Sequence, residues 1–97
     1  MNPDQKELFR KAILSVLDTN RTRFGLGIVP IAFQMARLGF SARDFGGNHE
    51  QFHEAIKDEL EYLTSHGFIE EAKKQMSAEN RAWRITAQGI AIVDSGA

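Results

Sequence analysis

Two histidines four residues apart, with a glutamate directly after the first, form the run His49-Glu50-Gln51-Phe52-His53. On a helix, positions i and i+4 share a face. Both imidazoles can then hold one zinc ion while Glu50 acts as general base on a zinc-bound water. A catalytic zinc also needs a third protein ligand. The chain has no cysteine to supply it, and Glu70 and Glu71 are only nominal carboxylate options. The run also follows a Gly46-Gly47 connector and falls in the first turns of its helix. The expectation is therefore two surface histidines, with no metal, no cofactor and no catalytic residue.

The same helix carries a polar face: Asn48, His49, Glu50, Gln51, His53, Glu54 and Lys57. Asn and Gln can read adenine in a major groove, and Lys can contact guanine or phosphate. Asn48, Gln51, His53 and Lys57 are candidate DNA contacts on that basis. Glu50, Glu54, Asp58 and Glu61 oppose it, because they would face a polyanion whose neutralisation supplies most non-specific affinity. A solvated polar face, or a face for a basic protein partner, is the other reading.

A second cluster of cations follows. Lys73, Lys74, Arg81 and Arg84 lie on or beside a ribbon that can grip phosphates or enter a minor groove. Glu70, Glu71 and Glu79 interleave with them, so cross-strand ion pairing competes with DNA contact. Glu59 falls by helical angle inside an apolar stripe, between Phe52, Ile56 and Leu63. A carboxylate there needs a partner, and Arg84, Arg81 or Arg37 are the candidates. Trp83 is expected to anchor the core.

The elements that position these residues follow from periodicity and caps. Asn2-Pro3-Asp4-Gln5 reads as a helix start. Leu8, Phe9, Ala12, Ile13, Val16 and Leu17 recur at helical spacing up to about Asp18–Asn20. Arg21 to Gly27 is a turn, with a very short strand at 23–25. Pro30 opens a second helix with the stripe Ile31, Met35 and Leu38, stopped by Gly39. Residues 41–47 connect, and Ser41 to Asp44 can form one helical turn. Asn48 caps a third helix, with Gln51 completing a capping box. Its apolar face is Phe52, Ala55, Ile56, Leu60 and Leu63, and Gly67 ends it with Phe68 folding back on Leu63. Residues 69–75 and 82–86 read as a hairpin with its tip at 76–80. Trp83 and Ile85 point one way and Arg84 the other. Thr86 caps a last helix through Ile90, Ile92 and Val93. This is the winged helix-turn-helix order, mainly α with a small β-hairpin, in one α+β domain over residues 1–97.

Composition agrees with a single small domain. The chain has 97 residues, 42% hydrophobic and 26% charged, which suits one modest core. No apolar run approaches the ~20 residues that span a bilayer. The N-terminus lacks the basic-then-apolar pattern of a signal peptide. A cytoplasmic location with no membrane partner is expected. Net charge is −1, unevenly spread. Residues 1–47 carry seven basic and four acidic side chains, residues 48–66 one and five, and residues 67–97 four and four.

Two phrases carry a resemblance. Glu59-Leu60-Glu61-Tyr62-Leu63-Thr64-Ser65-His66-Gly67-Phe68-Ile69 resembles the end of the recognition helix in winged-helix regulators. Trp83-Arg84-Ile85-Thr86-Ala87-Gln88-Gly89-Ile90 resembles their last strand and final helix start. More narrowly, Glu59, Tyr62, Thr86, Gly89 and Gly96 are similar to positions shared by small winged-helix proteins of Mu-like phages and prophages. The connector from Phe40 to His49 is longer than that pattern. The resemblance implies a DNA-binding regulatory module working as a homodimer, or a prophage accessory protein. It carries over no activity and no site residues. Weak double-stranded DNA binding is the leading expectation; docking of a basic protein partner on the acidic third helix is the alternative, and a zinc hydrolase built on His49, Glu50 and His53 is the remote one.

Overall fold

The computed structural model describes residues 2–72 and 81–95. Helix α1 runs Pro3–Thr19. Asn2 closes a reciprocal box at its start: its Oδ1 accepts from the Gln5 N–H at 2.8 Å, and Gln5 Oε1 accepts from the Asn2 N–H at 3.2 Å. Two of the N–H groups that a helix start leaves without partners are thereby satisfied. Helix α1 buries Phe9, Ile13, Leu14, Val16 and Leu17. Leu8 was expected in that stripe but is exposed. At 100° per residue Leu8 lies on one flank of the buried set and Leu14 on the other, and only the Leu14 flank is covered.

Helix α2 spans Ile28–Arg37. It starts two residues before the expected Pro30, with Gly27 as cap. Proline is tolerated in a first turn because the N–H it lacks has no helical acceptor there. Its buried residues are Ile31, Ala32 and Met35, while Leu38 is exposed at its end. A 3-10 turn, Ala42–Phe45, occupies the connector, with Ser41 and Asp44 capping it reciprocally. Helix α3 spans His49–Ser65. Asn48 Oδ1 accepts from the Gln51 N–H at 3.0 Å, so the forward half of the expected capping box is formed. Gly67 takes φ 78°, and the Phe68 N–H reaches the Leu63 carbonyl at 3.1 Å. This is the left-handed helix stop that the run Leu63 to Phe68 predicts.

Strands β1 (Ile69–Glu71) and β2 (Trp83–Ile85) pair antiparallel, with Ile69 opposite Ile85 and Glu70 opposite Arg84. Strand β2 is shorter than the expected 82–86, and residues 73–80 of the expected ribbon lie outside the described ones. Leu26 pairs with the other edge of Trp83 through two hydrogen bonds of 2.8 and 2.9 Å. The short strand expected at 23–25 is thus one bridging residue at 26. Gly25 permits that approach: its φ is 71°, and a Cβ there would stand 2.6 Å from the Trp83 carbonyl oxygen. Helix α4, Ala87–Asp94, closes the chain.

The molecule is therefore mainly helical with a small two-stranded antiparallel sheet, an α+β architecture. One core joins α1, α2, α3 and the sheet through Phe9, Ile13, Leu17, Ile31, Met35, Ile56, Leu60, Leu63, Ile69 and Trp83. Phe9 is its aromatic hub, meeting Phe40, Phe45 and Phe52 edge-on at 5.3 to 6.3 Å, a geometry favoured by the ring quadrupoles. No helix among the described residues is long and apolar enough to cross a membrane.

Candidate functional site

Helix α3 is the element on which the sequence concentrates its chemistry, and burial splits it into two faces. Phe52, Ile56, Glu59, Leu60 and Leu63 are buried. Glu50, Glu54, Asp58 and Glu61 are exposed. Three- and four-residue steps align those four acids along the helix, opposite the apolar stripe. Lys57 is the one cation among them and is half-buried. The outward face of α3 is consequently an acidic strip.

The inward Glu59 is 5% exposed. Its partner is Arg10 of α1, not one of the candidates Arg84, Arg81 or Arg37. Arg10 Nε donates to Glu59 Oε2 at 2.6 Å and Nη2 to Oε1 at 3.4 Å. The Arg10 guanidinium also lies 3.8 Å from the centroid of the Tyr62 ring. The hydrogen bond to Glu59 raises the Arg10 pKa above the ordinary arginine value, against a smaller lowering by burial. The three expected partners are held elsewhere. Arg81 and Arg84 bond across the hairpin, and Arg37 rests over the Phe33 ring. Arg10 sits at the edge of the apolar stripe of α1. That placement was readable, but its facing residue was not.

The hairpin cations fare similarly. Arg81 makes a forked pair with Glu71 at 3.0 and 3.1 Å. That bond raises its pKa above the usual value. Arg84 bonds Glu70 at 2.7 Å and donates to the Arg23 carbonyl at 3.0 Å. Charge-assisted forks of this kind hold a guanidinium in one orientation. Arg81 and Arg84, the expected phosphate contacts, already have carboxylate partners. Lys73 and Lys74 lie outside the described residues. Of the groove-reading candidates, Asn48 is used as the α3 cap, Gln51 is exposed, and His53 and Lys57 are half-buried.

His49 is exposed, and His53 packs beside Phe52 with ring centroids 6.1 Å apart. Among the described residues no group of three His, Cys, Asp or Glu side chains is placed to hold a metal ion. A groove of about 520 Å³ lies between α1, α3 and α4, with Arg10, Tyr62, Leu63, Phe68 and Ile92 in its walls. Its arginine and tyrosine are already engaged with each other.

Thr86 caps α4 as the sequence predicts, and the structure adds its bond to the end of α3 and the close packing of Gly89. The Thr86 hydroxyl donates to the Gly67 carbonyl at 2.7 Å and accepts from the Gly89 N–H at 3.2 Å. A Cβ at Gly89 would stand 2.1 Å from the Phe68 carbonyl oxygen. The Thr-x-x-Gly spacing therefore locks α4 onto the turn that ends α3. Gly96 lies outside the described residues. The chain matches no family model, no curated protein and no solved structure.

Proposed function

We propose that the chain is a non-enzymatic winged-helix module that docks on a partner protein through the outward face of α3. The order of helices and hairpin supports the winged-helix reading. So does Leu26, which adds a third strand position beside Trp83. The acidic strip of α3 carries the functional reading: Glu50, Glu54, Asp58 and Glu61 are exposed on the helix that would enter a groove. Four carboxylates there repel phosphate and attract a basic surface. Arg81 and Arg84 are committed to Glu71 and Glu70 and offset little of that repulsion.

Duplex DNA binding by a regulatory homodimer is the second reading. The hairpin root beside the start of α2 favours it, since a Cβ at Gly27 would lie 3.3 Å from the Arg81 carbonyl oxygen. That placement lets a wing and a helix start reach one phosphate backbone together. A phage or prophage setting fits either reading.

Charge reversal tests the first reading. Full-length wild type and the triple variant Glu54→Lys, Asp58→Lys, Glu61→Lys are cross-linked in extracts of the native host. A basic protein joined to wild type and lost from the variant is expected. An equal set of cross-linked proteins for both chains contradicts the reading.

A further inference from the structure

Helix α2 leaves an apolar stripe uncovered. Val29 is 67% exposed and Phe33 66%. They are four residues apart, and Ala36 and Arg37 continue the same side, so the four form one strip along two turns of helix. Arg37 lies over the Phe33 ring at 5.5 Å from its centroid. Just before the helix, exposed Phe24 carries Arg23 over its ring at 4.9 Å.

The stretch of chain that carries this strip holds charge of one sign. Residues 19–43 hold four arginines and no acidic side chain. Arg21 is answered by Asp18. Among the described residues no carboxylate forms an ion pair with Arg23 or Arg37. Apolar anchors with unanswered cations beside them demand an occupant that is apolar at its centre and acidic at its edges.

We propose that the Val29–Phe33–Arg37 face of α2 docks an acidic amphipathic helix of a partner protein. The strip covers about 12 Å, at roughly 1.5 Å per residue. That length suits two turns of a partner helix with apolar side chains at i and i+4 and Asp or Glu flanking them. A second copy of this chain fits poorly. A two-fold contact brings the same patch against itself, so Arg37 would meet arginine-rich surface with no acid to pair it. Single-stranded nucleic acid fits less well too. Bases need open ring faces to stack on, and here a guanidinium already covers one face of each phenyl ring. This surface is separate from the acidic strip of α3 and stands without it.

The test is selection of a random 16-residue peptide display library on the immobilised full chain. Enriched peptides should be net acidic with apolar residues at i and i+3 or i+4. A synthetic peptide of that consensus should bind about tenfold more weakly to Phe33→Ala, the loss expected for a central anchor. Arg37→Glu should also weaken it, and a Lys-for-Glu version of the peptide should recover affinity for Arg37→Glu. The substituted positions are exposed, and an unchanged circular dichroism melt checks that each variant folds. Enriched peptides that are basic, no enrichment over a Phe33→Ala counter-screen, or displacement of the peptide by oligothymidylate would overturn the proposal. So would a wild-type dimer in sedimentation that Phe33→Asp converts to monomer.

Discussion

Arg10 and Glu59 stand 49 residues apart in sequence and 2.6 Å apart in space. Their forked bond ties the first helix to the third across the edge of the core. It gives the most buried charge among the described residues, a glutamate inside an apolar helix face, a cationic partner.

Removing one member should therefore cost more than removing both. Arg10→Leu leaves the Glu59 carboxylate buried without its cation, at about 2 to 3 kcal/mol. That is below the range for fully buried pairs, because the Arg10 side chain keeps 29% of its exposure. The double variant Arg10→Leu, Glu59→Leu should recover at least half of the loss. Urea unfolding midpoints at constant m-value measure both. A double variant less stable than Arg10→Leu alone would mean the pair itself, not its broken remainder, supplies the stability.

The hairpin pairs should behave in the opposite way. Arg84 and Glu70 are well exposed, with side-chain exposures of 39% and 49%. Glu70→Gln should cost about 0 to 1 kcal/mol, as exposed pairs do. The loss should shrink further in molar salt, which screens such pairs. A loss above about 2 kcal/mol in thermal melts would show that the cross-strand fork organises the sheet.

Glycine positions separate close approach from mere backbone preference. Gly89→Ala pushes a methyl group into the Phe68 carbonyl. It should cost at least about 2 kcal/mol, or roughly 8 °C in the melting temperature of a domain this size. Gly46 has φ 68° with nothing within 4 Å of a Cβ. Gly46→Asn should melt within about 4 °C of wild type, since asparagine tolerates left-handed backbone. Equal melting of both variants would mean that α4 moves freely off the end of α3.

His49 and His53 should hold no zinc. Protein purified without a histidine tag should contain well under one zinc per chain by elemental analysis. The third ligand and the groups that orient metal-bound imidazoles are not assembled around them among the described residues. One zinc per chain, lost on His53→Ala, would restore the metallohydrolase reading.

Local signals made most of the fold legible. Asn2, Asn48 and Thr86 cap helices as their types predict, and Gly39 and Gly67 stop them. The helical period placed Phe52, Ile56, Leu60 and Leu63 inside. Long-range pairing was not legible. Nothing in the spacing of Glu59 says which helix faces it, so residue type alone could not choose Arg10 from the other arginines. The third strand position slipped to Leu26 because a single bridge has no alternation to read. The candidate site was legible in its residue types: the acids of α3 and the arginines of the hairpin are where the sequence put them. Their state was not, because whether Arg81 and Arg84 are free or spent on Glu71 and Glu70 is fixed by strand register. The exposed Val29 and Phe33 were invisible for a related reason. An apolar residue on a helix does not reveal whether anything covers it.

Duplex binding is the most direct measure of what α3 does. The full chain is titrated against a fluorescent random-sequence duplex at low ionic strength, about 20 mM, where phosphate contacts are strongest. No anisotropy change is expected for wild type. Onset of binding is expected when Glu54, Asp58 and Glu61 are all changed to lysine. Tight binding by wild type, falling steeply with salt and weakened by Arg81→Ala with Arg84→Ala, would contradict a protein-docking role and make the chain a DNA-binding wing.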